Sequence, residues 1–431
     1  MLRPGLRAVS GLSKRKFLPT LLTLALLAGG MCGQLAAAQW LGRETVSVSP
    51  LCQSARQAVA LSARQAPSLL GLPVQRIALY RWSGSRLEPV IFQLDRKDND
   101  DRYILANGIE SEEVRLDEND ELVFLLADAA GKIPDKNKLP AQNRLLEIRL
   151  DNTLTGSSRW VYVRLFNSPI KSSGKQYVEY LPEQDLIRTG LYQAGFSHQL
   201  PFLMDSFSWH DPLTGNWYPD LIDTMKIRHQ GKLFGLIRFS RSHADYTSKL
   251  VAVKKGPVRV IRRTENRVHV FLNVKSPALF IDYVMSPGGF QMDMVVDIPF
   301  TMGLFFSDVQ TLTTVDWRPV ETVQLLIESP KLSHALTVDG RMNADKQRFN
   351  EIDANRFSVR SAQGSMQVQL DIPEDFPIRA RLYLKDDISE PDLPENDRGQ
   401  YGNVGFRTLG WEKIDSEVHH LKFTVCMSPG R

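Results

Sequence analysis

The chain has 431 residues, of which 42% are hydrophobic and 24% charged, and its formal net charge is +4. This length allows one large β body or two to three domains, each able to bury a core. The first 38 residues contain five cations and no carboxylate, so a chain that begins near Gln39 has 48 Lys and Arg against 49 Asp and Glu. Its net charge of −1 removes the electrostatic basis for binding nucleic acid or an anionic membrane.

The N-terminal segment has the pattern of a secretory signal peptide. Basic residues up to Lys16 precede the apolar run "FLPTLLTLALLAGG", and the small residues "LAAAQ" follow it. This order predicts cleavage after residue 38 and a periplasmic or secreted protein. The alternative is an uncleaved membrane anchor. Lys14 stands where a twin-arginine signal would have its first arginine, which leaves twin-arginine export as a second route. No later segment reaches the ~18 apolar residues of a spanning helix.

Two cysteines remain after the predicted cleavage, because Cys32 leaves with the signal. Cys52 and Cys426 lie near the two ends of the mature chain. In an oxidising compartment this arrangement favours a disulfide between them over two buried thiols.

In chain order, the first predicted element is a helix in the alanine-rich segment 50–70, within a helical region 39–71 that Pro73 ends. β patterns dominate from there on. Segments 74–82 and 87–94 are predicted to form one hairpin, 121–128 a buried strand, and 143–151 with 158–166 a second hairpin. Residues 72–170 are therefore predicted to be a small β domain.

Residues 171–224 are predicted to be a linker followed by an aromatic loop, "DSFSWHDPLTGNWYPDLID" at 205–223. Strands with alternating polarity return from residue 225 and continue to the end of the chain. The sequence thus predicts an all-β, largely antiparallel sandwich architecture, with a larger C-terminal sandwich at 225–431. It indicates no particular oligomeric state.

The segments "EPVIFQLDRKDNDDRYI", "LDENDELVFLLADAAGK", "KKGPVRVIRRT" and "GNVGFRTLGWEKIDSEVHHLKF" resemble those of a group of uncharacterised bacterial secreted proteins. The larger domain is also similar in its β pattern to the galactose-mutarotase-like supersandwich of carbohydrate-active proteins. The first resemblance implies no activity, and the second implies an architecture only, because one fold can carry many functions.

Two clusters of carboxylates, in "DRKDNDD" and "LDENDE", supply the hard oxygen ligands that calcium prefers. The first cluster fails as an EF-hand loop, because Arg102 and Tyr103 occupy its fifth and sixth positions. An irregular calcium site could still combine the clusters, and the alternative is two solvated acidic turns. The candidate ligands are Asp95, Asp98, Asp100, Asp117 and Asp120.

The aromatic loop is the best candidate for a sugar-binding cleft, because aromatic faces beside carboxylates suit carbohydrate. Its candidate ligand-binding residues are Trp209, Trp217 and Tyr218. Candidate catalytic residues, for a lyase or a hydrolase, are His210, Asp211, Asp220, His243 and Arg262. The competing interpretation is a loop held on the sandwich by its tryptophans.

In a basic cluster at Lys254, Lys255, Arg259, Arg262 and Arg263, Arg259 alternates with Val258 and Val260. We expect it to be the solvent face of an antiparallel strand, and the alternative is a surface for an anionic sugar or partner. Local signatures of nucleophilic catalysis, nucleotide binding and transition-metal binding are missing from the sequence. The leading hypothesis is therefore an exported, non-catalytic binding or envelope-associated protein, and the alternative is a carbohydrate-active enzyme.

Overall fold

The fold is a set of β-sheets, seen in a computed structural model that describes residues 38–48, 52, 56–105, 114–135, 139, 143–170, 174–271, 274–374, 376–391 and 399–430. The predicted signal peptide lies outside these residues, apart from Ala38. The first eight strands are β1 Gln39–Val48, β2 Ala58–Ser62, β3 Ile77–Trp82, β4 Leu87–Pro89, β5 Phe92–Asp95, β6 Glu121–Leu125, β7 Arg144–Asn152 and β8 Ser158–Leu165.

These strands form a small sandwich. One sheet has the order β1-β7-β8-β3-β4 and the other the order β2-β6-β5. Alternate residues of the two sheets, including Val59, Leu61, Phe124, Ile148 and Val163, point inwards and form one buried cluster. The predicted β7–β8 hairpin is confirmed. β5 does not continue the β3–β4 hairpin, because it leaves that sheet and pairs with β6.

The predicted helix at 50–70, within the region 39–71, is wrong for the residues that the structure describes there. This region contains β1, β2 and a short 3₁₀ helix at Pro67–Leu69. β1 pairs in parallel with β7, and β2 pairs antiparallel with β6. Val59 and Leu61 are buried at a spacing of two, which is the period of a strand. Long-range pairing therefore overrides the helix propensity of the alanines. Residues 49–51 and 53–55 lie outside the described residues.

The predicted linker and loop at 171–224 is wrong in part, because residues 178–209 form a regular sheet. Its strands are β9 Val178–Leu181, β10 Leu186–Thr189, β11 Tyr192–Phe196 and β12 Met204–Trp209. They pair antiparallel in sequential order. The strands of this segment are joined by short connections, and Asp185 in one of them has a left-handed backbone at φ 44°. The residues of these connections give the segment a composition that resembles that of a loop.

The remaining strands build two large antiparallel sheets. They are β13 Ile222–Leu233, β14 Ile237–Ser242, β15 Tyr246–Lys255, β16 Val260–Phe271, β17 Val274–Lys275, β18 Leu279–Ser286, β19 Gly289–Asp297, β20 Phe306–Trp317, β21 Leu326–Glu328, β22 Leu336–Thr337, β23 Arg356–Arg360, β24 Gly364–Asp371, β25 Arg379–Asp387, β26 Gln400–Leu409 and β27 Val418–Pro429. The helix α1 spans Ala344–Phe349.

One large sheet has the order β14-β13-β20-β26-β25, and the other runs from β15 through β16, β18, β19, β27, β24, β23 and β21 to β22. Apolar side chains of both sheets and of β9–β12 meet in the main hydrophobic core. The all-β sandwich architecture is thus confirmed. Residues 37–431 belong to one compact unit, and the domain boundaries at 170 and 225 stay a prediction.

A disulfide joins Cys52 to Cys426 on β27, as predicted, and is compatible with an exported protein. In the described part of the chain, the structure has no helix that is long and apolar enough to cross a bilayer.

Candidate functional site

The aromatic loop is largely part of the folded core. Trp209 ends β12 and is buried, with its ring edge-to-face on Phe207 at a centroid distance of 4.9 Å. Gly364 makes room for this ring, because a Cβ at that position would lie 2.7 Å from Trp209 Cδ2. Tyr218 packs against the same core. The two residues therefore support the sandwich.

Trp217 is half-buried and has its own neighbours. It forms a bridge with His210, whose ring centroid lies 4.9 Å away, and the Arg188 guanidinium lies 5.5 Å from its ring centroid. The Nδ1 atom of His210 is buried and has no hydrogen-bond partner among the described residues. Trp217 thus has the side-chain contacts of a loop anchor.

The two candidate catalytic carboxylates of this loop, Asp211 and Asp220, accept hydrogen bonds from backbone amides. Asp211 accepts hydrogen bonds from the Leu213 amide at 2.9 Å and from the Thr214 hydroxyl at 2.7 Å. The Thr214 bond leads the effects that lower the pKa of Asp211, so this carboxylate is ionised and a weak base near neutral pH. Asp220 accepts the Phe207 amide at 2.7 Å and lies 3.5 Å from Arg318.

The other two catalytic candidates have different structural surroundings. His243 lies in the 3₁₀ turn His243–Asp245 between β14 and β15. Arg262 is fully buried on β16, where its guanidinium pairs with Asp185 and donates to the Pro201 carbonyl. The contacts of the five candidates are thus to separate partners, and a catalytic role for them stays a prediction.

The two acidic turns do meet. The Asn119 side chain donates to the Asp98 carbonyl at 2.5 Å, and the Lys97 amide donates to Asp120 at 2.9 Å. Arg64 lies 3.3 Å from Asp101 and 3.7 Å from Glu118. The turns are therefore joined by hydrogen bonds and by a cation.

Several of the calcium candidates are bonded to protein donors. Asp98 accepts the Asp100 and Arg102 amides, and Asp120 also accepts the Asp117 amide. Asp95 is fully buried beside Arg259 and Lys254. Among the described residues there is no group of three or more His, Cys, Asp and Glu suited to hold a metal. Calcium binding by Asp95, Asp98, Asp100, Asp117 and Asp120 stays a prediction.

The expected solvent face of the basic cluster is wrong for Arg259 and Arg262, which are buried. Arg259 donates to Asp95 at 2.6 Å and pairs with Glu121. Burial raises the pKa of Asp95, but the charges of Arg259 and Lys254 outweigh it, so the pKa lies below its usual value. Gly256 allows the Gln93 side chain to lie close to the backbone of this segment, because a Cβ at residue 256 would lie 1.9 Å from Gln93 Oε1. Residues of the small sandwich therefore cover Arg259, whereas Arg262 is covered by Asp185 and Pro201.

A hairpin tip that the sequence analysis treated as ordinary strands is the main exposed apolar feature of the described surface. The turn between β13 and β14 and the turn that precedes β20 lie side by side. We call their outward-facing residues the apolar tip; the exposed fractions are 62% for Phe234, 86% for Leu236, 54% for Ile237, 70% for Leu304 and 39% for Phe305. The sequence signal was an apolar turn, "KLFGLIRF", together with ten uncharged residues at 298–307.

A groove of about 350 Å³ lies beside Lys175, Gln176, Tyr180 and Lys255. It contains none of the sequence-predicted catalytic or ligand-binding residues. Its lining carries the charges of Glu179 and of the two lysines.

No protein-family model and no curated protein sequence matches the chain. Among solved structures, an α-mannosidase from Enterococcus faecalis V583 is similar with a TM-score of 0.42 and 9% identity, over 87% of this chain and 41% of that one. The chain thus spans about two fifths of that enzyme. A galactose mutarotase-like protein from Lactobacillus casei ATCC 334 is similar with a TM-score of 0.32 and 10% identity, over 56% of this chain and 98% of that one. At these levels the likeness is one of β architecture, and no activity follows from it.

Proposed function

We propose that this is an exported, non-catalytic protein that acts as a binding module at the cell envelope. The apolar tip is the observation that carries the proposal. Contiguous exposed apolar surface on a folded protein marks an interaction site, because its exposure to water is unfavourable unless a partner covers it. The tip is made of residues that folding alone does not require to be apolar.

Export is supported by the signal-peptide pattern and by the disulfide between Cys52 and Cys426. The non-catalytic assignment is supported by the contacts of the candidate residues. Asp211 and Asp220 accept backbone amides, and Arg262 is buried against Asp185. No contact of the described residues specifically favours the carbohydrate-active alternative.

The test is fractionation of cells that produce the full chain. We expect a processed form that begins near Gln39, outside the cytoplasm, and that sediments with isolated envelope fragments after purification. Recovery of the unprocessed chain, with its N-terminal segment, in the cytoplasmic fraction would contradict export. A purified protein that stays in the supernatant contradicts the binding role. Turnover of a polysaccharide that Asp211→Asn abolishes would establish the enzyme instead.

A further inference from the structure

The apolar tip is built from two turns that hold each other in place. The Phe234 amide donates to the Phe305 carbonyl at 2.7 Å. The rings of these two residues are edge-to-face with centroids 6.0 Å apart, and the Phe300 ring lies 5.3 Å from that of Phe305. The tip is therefore one surface and not two independent loops.

A half-buried aromatic layer supports the tip. The rings of Phe239 and Phe306 lie 5.7 Å apart, and a Cβ added to Gly231 would lie 2.9 Å from the Phe239 ring. This ring thus covers the glycine of the neighbouring strand. The support keeps the five tip side chains projecting outwards in water instead of collapsing onto the sheet.

The β13–β14 turn places a bulky side chain on a backbone conformation that disfavours it. Phe234 has φ 49°, a left-handed conformation that is unfavourable for a bulky residue and that Gly or Asn adopts at lower cost. Its side chain is 62% exposed and its ring contact is with Phe305, another residue of the tip, so packing against the core does not repay this strain. Strained residues that persist at a surface point to a functional constraint.

The charges around the tip are arranged in a pattern typical of membrane-binding surfaces. Residues 298–307 carry no charge, and residues 229–242 contain Lys232, Arg238 and Arg241 but no carboxylate. Three carboxylates lie nearby and each has a partner: Asp308 pairs with Lys232 at 2.8 Å, Asp415 lies 3.4 Å from the Thr301 hydroxyl, and Glu412 accepts the Val309 amide at 3.2 Å. Apolar side chains at the end of an element with cations behind them match the two layers of a lipid interface, acyl chains and then headgroups.

We propose that the apolar tip inserts into the surface of a lipid bilayer; this rests on the proposed function at the envelope. The tip is formed by two adjacent turns, and Leu236 and Leu304 are its most exposed residues. Side chains exposed at turns can enter a fluid lipid surface, which needs no complementary groove. The net charge of −1 of a chain that begins near Gln39 gives no long-range attraction to anionic membranes. Insertion of apolar side chains therefore makes the main contribution to the binding free energy, and the local cations add to it.

The experiment is co-sedimentation of the purified exported protein with protein-free vesicles of phosphatidylcholine and phosphatidylglycerol. We expect binding by the wild type and a loss of at least about tenfold in the partition constant for the double variant Leu236→Asp/Leu304→Asp, because two inserted apolar side chains become charged. The matched control is Leu213→Asp. Leu213 is 94% exposed on a different turn, and its replacement leaves binding unchanged.

Folding of each variant is checked by circular dichroism. Phe234→Asn provides a second test, because it removes a tip side chain while relieving the strained backbone. We expect it to fold at least as well as the wild type and to bind vesicles more weakly. Equal binding by wild type, Phe234→Asn and the double variant overturns the assignment of the tip.

The same variants are tested with isolated envelope fragments, which separates the two proposals. If the wild type binds fragments through the tip but does not bind protein-free vesicles, the partner is a protein and the lipid inference is overturned, whereas the proposed function stands. If it binds neither, both are overturned.

Discussion

The molecule contains two regions in which polarity and exposure are inverted. At the start of β16, Arg259 and Arg262 are buried, and on β13 so are Lys226 and Arg228. A few residues further along β13, the hairpin ends in exposed Phe234, Leu236 and Ile237. Lys226, Arg259 and Arg262 each pair with a carboxylate inside the fold, and Arg228 donates to the Thr314 hydroxyl. The exposed apolar residues contact one another, as the Phe234 and Phe305 rings do, and remain largely open to water. The first inversion thus serves folding, and the second is the surface on which the proposed function rests.

The largest effect expected from this difference is on the buried side. Arg259→Ala leaves Asp95 and Glu121 without their guanidinium and should lower the free energy of unfolding by about 3–5 kcal/mol. Urea denaturation measures it. The control is Arg267→Ala on β16, the strand that follows Arg259; its side chain is 42% exposed and lies 3.3 Å from Glu265. This surface pair should contribute less than about 1 kcal/mol. Similar losses in both variants would show that Arg259 is not a buried structural charge.

An intermediate effect is expected at His229, which lies on β13 between the buried and exposed ends. Its ring nitrogens contact Thr311 Oγ1 at 2.8 Å and the Tyr246 hydroxyl at 2.6 Å. Burial lowers its pKa from 6.5 to about 4, against the opposing charge of Asp245. As the pH falls through this window, the unfolded chain binds a proton that the folded chain does not, so stability falls.

The measurement is urea unfolding of the wild type and His229→Gln between pH 7 and pH 4. The wild type should lose on the order of 2–3 kcal/mol more than the variant over this range. The comparison with the variant is needed because burial also raises the pKa of Asp316 to about 6 despite Lys226, and that group stabilises the fold as the pH falls. Parallel pH profiles would contradict a buried neutral imidazole.

The smallest effect is expected at the tip and has the opposite sign. Phe234→Asn should raise the free energy of unfolding by about 0.5–1 kcal/mol, because Asn tolerates the left-handed backbone. The control is Ile237→Asn, which removes exposed apolar surface without relieving a positive φ and should bring no gain. Thermal unfolding compares the two. A loss of stability in Phe234→Asn would show that the ring is needed for folding and would weaken the contrast with Arg259.

Predictions from the sequence were correct where the structure follows from a local pattern. They were wrong where the structure depends on contacts between distant segments of the chain. Alternation around Val258 and Val260 indicates a strand, but it cannot show that Asp95 and Glu121, more than 130 residues earlier in the chain, cover the charged face. The helix predicted at 50–70 failed for the same reason, because β2 is defined by its pairing with β6. The Cys52–Cys426 bond was predictable because only two cysteines remained in the mature chain.

For the candidate site, residue type was a poor guide. Trp209 and Asp220 have the chemistry of a sugar cleft, and the fold uses them for packing and for capping backbone amides. The apolar tip was not predicted from the sequence, because its turn contains a single glycine, Gly235, between apolar residues. The sequence pattern of a hairpin turn without polar residues resembles that of a continuous strand.

The disulfide can form only after both of its cysteines have been synthesised. Its two cysteines are separated by 374 positions. At a synthesis rate of roughly 5–20 residues per second, Cys52 precedes its partner by about 20–75 s. If the chain is exported during synthesis, as the proposed function allows, the Cys52 thiol is available through that interval to any other oxidant or thiol outside the cytoplasm. The strands β1 and β2 on either side of it have partners within the first 152 residues, so this part of the chain can fold while it waits for Cys426.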